Sequence, residues 1–340
     1  MNIEFIHEIE GFQALKEPWN ALVGKAVTRT PFQRHEYQQV WWSTKGGGEW
    51  QAADLWVAAG WNDARELSGV APLFFTRNAD DEPALVLIGS IEISDYLDLI
   101  VSEEELEPFV HALFDGLEED GPEGWVLLDL YNILEDSPSL KAIVKAAEAR
   151  GWRTEQERMQ PCPIVQLPDS WEAYLEQLDS KQSRELRRKL RKAEGYPASV
   201  DWQFVSEGAQ LDQAVDTFLS LMANDAAKAD FLTDPMREQF RRMCETAFEH
   251  GWLQIAFLNV SNEPIFGYVN FDFDNRIWVY NSGIDPAHFD LSPGWVLMGN
   301  LIQWAIENGR EAVDFLRGDE SYKYRLGGED RYITNLKIRR

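Results

Sequence analysis

Cysteine is scarce in this sequence, whose 340 residues include only Cys162 and Cys244. Two cysteines cannot form a disulfide framework, and neither of them lies in a CxxC pair. We interpret Cys162, within PCPIV, as a small buried strand residue rather than a nucleophile. The five histidines lack the HxxxH or HxH spacing of metal ligands. The sequence therefore predicts neither a disulfide-stabilised scaffold nor a metal site.

Basic residues are also few, since 32 Lys and Arg stand against 58 Asp and Glu, for a formal net charge of −26 at pH 7. Broad binding to a phosphate backbone needs a basic surface, so nucleic acid is not expected as a partner. No apolar run reaches the roughly 18 residues of a membrane span. The N-terminal MNIEFIHEIEGF has acids where a signal peptide has a basic start. We expect a cytoplasmic protein without a membrane span.

What the sequence does contain is enough apolar surface for two packed domains of about 150 residues each. In the C-terminal half, residues 253–260 and 264–273 are typical of paired strands around a short polar turn. A helix is expected from Pro293 to Asn308, with Gly309 just beyond its end. A further strand follows at 312–316.

The N-terminal half repeats this order of elements. A hairpin is expected from strands 54–60 and 69–75, followed by a helix at 104–118 and a strand at 126–130. The segments GWVLLDL (124–130) and EAVDFLRG (311–318) are both apolar strands that carry an aspartate. Hairpins followed by a strand–helix–strand unit predict a mixed α/β sheet in each half. We place the division between residues 1–168 and 169–340.

The halves differ where a helix follows the central strand. In the C-terminal half this helix opens with Ser292-Pro293-Gly294, a sequence without acids until Glu307. Such an N-terminus has free N–H groups and a positive dipole potential, which suit a pyrophosphate. The corresponding helix of the N-terminal half opens with Ser102 and three glutamates, which repel phosphate. If one half binds a phosphate-bearing ligand, we expect it to be the second; the alternative is an ordinary capped helix.

Several segments together carry a family resemblance. TPFQRHEYQQVWW (30–42), GVAPLFF (69–75), YNSGIDPAHFDLSPGWVL (280–297) and DFLRGDESYKYRLG (314–327) resemble the GNAT-superfamily acetyltransferases, in particular the CelD-type branch associated by name with cellulose or exopolysaccharide biosynthesis. The resemblance implies two tandem GNAT-like domains, distantly similar to the Fem-type transferases. It also implies an acyl-CoA donor, bound in the C-terminal domain and not in the N-terminal one. The usual Q/R-x-x-G-x-G/A loop is reduced here to Gly294.

The resemblance implies site residues as well. Backbone N–H groups between Tyr280 and Gly283 would bind the acyl carbonyl, and Tyr322, or Tyr324 in its place, would protonate the leaving thiolate. The residues expected to contact acyl-CoA are Tyr280, Asn281, Ser282, Gly283, Ser292, Gly294, Trp295, Arg317 and Lys323. Arg317 and Lys323 could instead pair with Asp319 or Glu320.

Candidates for the general base lie in polar loops at the carboxyl ends of strands, where open α/β sheets place ligands. Asp319 is the first candidate and Asp285 the second. Asp314 alternates with apolar neighbours inside its strand, and it is equally well interpreted as structural.

The segment 181–192 holds seven basic residues and one glutamate. On a helix its arginines form one stripe, because they recur every three or four residues. The members of this stripe are Arg184, Arg187, Arg188 and Arg191. A solvated face, an anionic acceptor, the CoA 3′-phosphate and RNA remain alternatives for it.

Taken together, these features predict transfer of an acyl group from acetyl-CoA or another acyl-CoA to an amine or hydroxyl of a small-molecule, sugar or polysaccharide-related acceptor. Two alternatives remain open: a non-catalytic acyl-CoA-binding or assembly protein, and a Fem-type aminoacyl-tRNA-dependent transferase.

Overall fold

The computed structural model describes residues 1–50 and 52–340 and divides into two compact units. One unit comprises Met1–Gln160 with Arg331–Arg340, and the other comprises Pro161–Asp330. Both units are mixed α/β structures, which confirms the predicted fold class. The assignment of 1–168 and 169–340 to two functional domains stays a prediction. The boundary between the compact units falls after Gln160, earlier in the chain than the predicted division. Residues 331–340 belong to the first unit because their strand pairs with one of its strands.

Residues 1–166 form nine strands and five helices within the described chain. The strands are β1 (Asn2–Ile6), β2 (Ala53–Leu55), β3 (Val57–Trp61), β4 (Leu67–Ala71), β5 (Leu73–Arg77), β6 (Pro83–Leu87), β7 (Ile100–Val101), β8 (Leu127–Leu134) and β9 (Arg153–Gln166). The helices are α1 (Ile9–Ala14), α2 (Lys16–Val23), α3 (His35–Gly48), α4 (Leu106–Asp120) and α5 (Pro138–Ala149).

The remaining residues form the rest of the second unit and one returning strand. The strands are β10 (Val200–Phe204), β11 (Leu253–Val260), β12 (Glu263–Phe273), β13 (Arg276–Ile284), β14 (Ala312–Asp314) and β15 (Glu329–Arg339). The helices are α6 (Trp171–Gln177), α7 (Ser180–Glu194), α8 (Leu211–Met222), α9 (Ala226–Phe231), α10 (Asp234–Glu249), α11 (Pro293–Glu307) and α12 (Ser321–Arg325). None of the described helices is long and apolar enough to cross a membrane.

The sheet of the second unit has the order β10-β11-β12-β13-β14-β9. Its pairs are antiparallel except β13–β14, which is parallel and is connected through α11. Neighbouring residues of a strand face opposite sides of a sheet. Gly267 faces Phe218 of α8, whereas Phe266 contacts Gly294 of α11, so α8 and α11 cover opposite faces.

The predicted elements around the β11–β12 hairpin and α11 are confirmed within one or two residues. Ser261 and Asn262 form the two-residue turn, with φ of 52° and 67°, as a type I′ hairpin requires. Pro293 stands at the start of α11, where its missing N–H costs no helix bond. Leu297 and Ile302 are fully buried in the core, each worth about 1.5–3 kcal/mol. Gly309 follows the helix with a left-handed φ of 70°.

The first unit repeats this succession with interrupted strands. The expected strands 54–60 and 69–75 each divide in two, so that β3 and β4 join the sheet β1-β3-β4-β7 while β2 and β5 pair with each other in another sheet. Pro72 lies at the break between β4 and β5, where it has no N–H for a ladder. Residues 96–99, just before β7, are not in a strand. There the Asp98 carboxylate accepts from the Leu99 amide and competes with a ladder.

The two strands noted for their shared aspartate occupy equivalent positions. Asp129 is the last residue of the parallel β6–β8 pairing, opposite Val86, and Asp314 is the last of the parallel β13–β14 pairing, opposite Trp278. Both aspartates are completely buried. The units therefore share the order hairpin, parallel strand and buried aspartate.

A buried histidine lies in the core of the first unit. The Nε2 of His35 is 2.8 Å from the Phe12 carbonyl oxygen and donates to it, because a carbonyl can only accept. The ring also packs against Phe12 and Trp19 at centroid distances of 4.8 and 5.4 Å. Nδ1 has no hydrogen-bond partner among the described residues. Burial therefore lowers the pKa of His35 below its usual 6.5.

We expect this histidine to make stability depend on pH. Because its pKa is lower in the folded than in the unfolded state, it destabilises the fold as pH falls below about 6.5. His35→Gln keeps a donor for Phe12 but does not titrate. Urea denaturation between pH 7.5 and pH 5 should show a loss of unfolding free energy in wild type that is smaller in His35→Gln. Burial also raises the pKa of Asp98, but this residue adds the same pH dependence of unfolding free energy to wild type and to His35→Gln. Parallel pH profiles would contradict the prediction.

Candidate active site

The parallel pairing of β13 with β14 is short. It joins residues 276–278 to residues 312–314, and β13 then continues to Ile284 with its other neighbour, β12. Within the described chain, no ladder pairing of β13 with β14 extends past Trp278. We call this side of residues 279–284 the open edge. An exposed strand edge presents main-chain groups to a ligand.

A β-bulge lies where the open edge begins. Val269 of β12 pairs with Asn281, whereas the next residue, Asn270, pairs with Val279. Tyr280 is therefore the extra residue of β13, and its ring packs against Phe271 at 5.2 Å. Bulges bend a strand and re-aim the groups beside them. The local distortion of β13 thus occurs at Tyr280.

Close packing against helix α8, and not the bulge at Tyr280, explains why residue 283 is glycine. A Cβ there would lie 2.6 Å from the Met222 nitrogen and 2.8 Å from the Leu221 carbonyl carbon. The end of α8 therefore approaches the backbone of β13 directly. The glycine is explained by this close approach rather than by strand distortion.

The direction of the main-chain groups follows from one hydrogen bond. The Asp285 amide donates to the Ile265 carbonyl at 2.8 Å, on the β12 side. In an antiparallel strand, the N–H and C=O groups of successive residues point alternately to one side and to the other. Those of Ser282 and Ile284 therefore point to the open edge. Asn224, just after α8, donates from Nδ2 to the Ile284 carbonyl at 2.8 Å.

Lys228 of α9 also reaches the open edge, and nothing in the sequence pattern pointed to it. Its Nζ donates to the Ser282 carbonyl at 2.7 Å and to Asn281 Oδ1 at 2.9 Å. Burial lowers the pKa of this ammonium, while the charges of Asp225 and Glu320 act in the opposite direction. A partly buried cation is thus held beside the strand edge.

The loop after β14 is organised around Lys323. This side chain is only 3% exposed, and its Nζ donates to the carbonyls of Leu316, Arg317 and Gly318 at 3.3, 2.6 and 3.2 Å. It also pairs with Glu320 Oε2 at 3.0 Å, which was the alternative role considered for it. Lys323 therefore holds the loop in shape.

Two tyrosines lie beside this loop. Tyr268 of β12 is buried, and its hydroxyl is 3.4 Å from the Gly294 carbonyl, to which it donates. Tyr322 packs edge-on against Phe315 with centroids 5.8 Å apart. Burial and the charge of Glu320 raise the pKa of Tyr322, so that its hydroxyl keeps its proton at neutral pH. Burial, and secondarily the charge of Tyr322, raise the pKa of Tyr268 as well.

The entrance to α11 is free of acids from Ser292 to Trp295. Ser292 is left-handed, with φ 53° and ψ 53°, and its hydroxyl caps no amide of the described chain. At Gly294 a Cβ would lie 3.1 Å from Phe266 Cζ, so packing alone favours glycine there. Lys189 of α7 lies 4.6 Å from the ring centroid of Trp295, and burial lowers the pKa of this lysine. Positive charge therefore flanks the helix entrance.

Helix α7 attaches to α11 by its apolar face. Leu186 Cδ1 and Leu190 Cδ2 lie 3.0 and 3.3 Å from the position of a Cβ at Gly299. Lys192 donates to the Asp290 carbonyl in the 3-10 turn Pro286–Leu291. The arginine stripe points to solvent on the other side.

Within the stripe, Arg188 binds Glu185 through two hydrogen bonds of 2.8 Å. Arg184, Arg187 and Arg191 form no ion pair with any carboxylate in the described part of the chain. Three of the four arginines therefore present uncompensated charge.

The expected bases occupy different environments. Asp319 is exposed. The carboxylate of Asp285 accepts from the Ala287 amide at 2.9 Å and lies 3.2 Å from His288 Nδ1. Asp314 Oδ1 accepts from the Leu316 amide at 2.9 Å. No group of residues suited to a metal ion occurs in the described ranges.

Comparison with known proteins agrees with this geometry. Residues 180–324 match the model of the acetyltransferase (GNAT) domain. The chain is similar to the crystal structure of FemX, with 12% identity, coverage of 98% of this chain and 96% of that one, and a TM-score of 0.68. It is also similar to a conserved protein of unknown function from Bacteroides thetaiotaomicron (11% identity, 99% and 100% coverage, TM-score 0.64) and to L-PGS from Bacillus licheniformis (12%, 98% and 92%, 0.55).

At these identities the structural likeness is one of fold. A comparison with curated proteins finds no match. The chain thus contains a GNAT-like acetyltransferase domain, which supports acyl transfer in general terms. The CelD-type branch is not confirmed and stays a prediction.

We expect Gly283→Ala to destabilise the second unit by about 1–3 kcal/mol, because the new methyl group overlaps the backbone at Met222. Gly195→Ala is the matched control. Its Cβ would make only an ordinary contact, 3.5 Å from the Arg191 carbonyl, and φ is −95°. Urea denaturation monitored by tryptophan fluorescence measures both. Equal midpoints for the two variants would show that α8 does not restrict Gly283.

Proposed function

We propose that this protein transfers an acetyl or other acyl group from acyl-CoA to an amine or hydroxyl of a small-molecule, sugar or polysaccharide-related acceptor. One observation carries the proposal: the open edge of β13 adjoins the acid-free entrance of α11, within the segment matched by the GNAT model. A strand edge can hold the amide-rich arm of CoA, and a helix N-terminus can hold its phosphates.

Each expected contact residue has a role in this proposal. Residues 280–283 line the donor arm, and Ser292, Gly294 and Trp295 surround the pyrophosphate. Arg317 lies in the loop that Lys323 shapes, at the side of the acyl group. The stripe Arg184, Arg187, Arg188 and Arg191 attracts the anionic parts of donor or acceptor. Tyr322, a phenol that stays protonated, donates a proton to the leaving thiolate.

The two-domain part of the proposal assigns no CoA site to residues 1–168. In the first unit the segment between β6 and β7 lies against β8. Asn132 donates from Nδ2 to the Ser94 carbonyl at 2.7 Å, and the Leu97 amide donates to the Asn132 carbonyl at 2.9 Å. The glutamates 103–105 precede α4. A filled edge and an acidic helix entrance both disfavour a CoA molecule.

A titration with a matched pair of variants tests the donor site. Gly294 is unsuitable, because any side chain there meets Phe266. Ser292→Asp adds a charge at the α11 entrance, and Ser292→Asn is its neutral counterpart; both residues tolerate a left-handed backbone. We expect Ser292→Asn to match wild type in its affinity for each of the two ligands, acetyl-CoA and CoA, and Ser292→Asp to bind each of them about tenfold more weakly, or about 1.4 kcal/mol.

Isothermal calorimetry measures these affinities, with circular dichroism to check the fold. Absence of binding to wild type would contradict the acyl-CoA proposal. Equal affinities of the Asp and Asn variants would show that the CoA phosphates do not bind at the N-terminus of α11. Tight binding without turnover on a panel of amines would favour the non-catalytic alternative.

The general base can be tested separately. Asp319 and Asp285 are the candidates from the sequence, and Glu320 is a third, an exposed carboxylate of the same loop that lies beside Tyr322 in the chain and pairs with Lys323 at 3.0 Å. We expect Glu320→Gln to lower kcat about 100-fold or more, while Asp319→Asn stays within about threefold. Steady-state kinetics with an acceptor from the amine panel compares them, and CoA affinity controls for damage to the loop. The reverse order would assign the base to Asp319.

An aminoacyl-tRNA-dependent transfer remains a second candidate function. It rests on the uncompensated charges of Arg184, Arg187 and Arg191 and on the likeness to FemX in fold. The net charge of −26 weighs against a broad RNA surface. Salt-sensitive tRNA binding together with no affinity for CoA would support this candidate instead.

A further inference from the structure

The segment between α8 and α9 is fastened along the open edge. Asn224 binds the Ile284 carbonyl at 2.8 Å, as described above. The Asp225 carboxylate accepts from the Lys228 amide at 3.1 Å and so caps the first turn of α9. These bonds hold the backbone from which the Lys228 side chain extends to Ser282.

The contacts of Lys228 leave one position for a ligand oxygen. Its two short bonds go to the Ser282 carbonyl and to Asn281 Oδ1. The third acceptor, Ser282 Oγ, is 3.4 Å away and is the one that another oxygen can replace. All three acceptors are neutral. No carboxylate is among these acceptors, so the ammonium can stabilise an incoming negative oxygen.

A strand edge usually offers its backbone N–H groups to a ligand, but here the N–H of Ser282 is already occupied. The Ser282 amide faces the open edge, but it donates to Asn281 Oδ1 at 2.8 Å. Asn281 Oδ1 is in turn held by Lys228. A carbonyl that arrives at Ser282 thus meets a lysine ammonium in place of that backbone N–H.

We propose that Lys228 is a catalytic residue, whose ammonium binds the carbonyl oxygen of the acyl thioester. This inference rests on the proposed function and names a residue of that same site. When the acceptor amine attacks, its lone pair forms the C–N bond and the carbonyl π pair moves onto oxygen, beside Lys228. The carbonyl then re-forms, the C–S bond breaks, and the sulfur leaves as a thiolate that takes a proton from Tyr322. The proton lost by the amine goes to Glu320, and exchange with water then returns a proton to Tyr322 and removes one from Glu320, so that both groups regain their starting states. Lys228 stays protonated throughout.

Comparison of acetyl-CoA with CoA tests this assignment without an acceptor, because only acetyl-CoA carries the carbonyl. We expect wild type to bind acetyl-CoA more tightly than CoA. Lys228→Met should weaken acetyl-CoA about tenfold while the affinity for CoA stays within about twofold, since a hydrogen bond to a charged group is lost. Lys141→Met, an exposed lysine on α5, is the control and should leave both affinities unchanged.

A chemical rescue keeps the test valid if Lys228→Met is poorly folded. Lys228→Cys can be alkylated with 2-bromoethylamine, which restores a side chain of lysine length with a terminal ammonium. Cys162 and Cys244 are completely buried and so are protected from the reagent in the folded protein. We expect the alkylated protein to regain the preference for acetyl-CoA that Lys228→Cys lacks.

The outcomes separate this inference from the function on which it rests. Equal effects of Lys228→Met on both ligands, or none on either, would overturn the role of Lys228 and leave the donor site intact. Tighter binding of both ligands would also overturn it, because Lys228 would then compete with the donor for the edge. Failure of wild type to bind either ligand would overturn the proposed function and this role together.

Discussion

The end of β14 at Asp314 is the constraint on which the rest of the site depends. The Asp314 carboxylate accepts from the Leu316 amide, and Leu316 adopts a left-handed φ of 56°. A side chain that binds the backbone two residues ahead offers the chain an alternative to a ladder. The strand therefore stops after three residues while β13 continues. The gap that results is the space into which Lys228 and the loop after β14 extend.

Three lysines of this acidic protein differ in how their charges are compensated at the site. Lys323 is enclosed by three carbonyls and Glu320, so its charge is compensated and its function is to shape the loop. Burial lowers the pKa values of Lys228 and Lys189; Lys228 bonds neutral acceptors, and Lys189 lies 3.7 Å from Glu185. One lysine therefore stabilises the loop, and the other two supply potential at the strand edge and at the entrance to α11.

Local sequence signals predicted the second unit well and the contacts of its site poorly. The hairpin turn and the ends of α11 depend on neighbouring residues such as Pro293 and Gly309, and these were identified. The contact between Lys228 and Ser282 joins residues 54 positions apart, and no periodicity or motif records it. The resemblance implies ligand contacts for Gly283 and Gly294, but packing also favours glycine at both, since a Cβ would meet the backbone of α8 at Gly283 and the ring of Phe266 at Gly294. Tertiary packing of this kind has no local signature.

The returning strand β15 has a consequence for synthesis. β15 pairs with β8 from Ile333 to Arg339, and Lys337 and Arg339 bind Asp80 and Glu82. A ribosome makes these residues only after the whole second unit. An N-terminal domain usually folds before the next domain emerges. The first unit cannot complete its sheet in that order, because β15 has not yet been made. Until β15 is made, the edge of β8 that it covers has no partner, so the unit that begins the chain can complete its sheet only after the second unit has been synthesised.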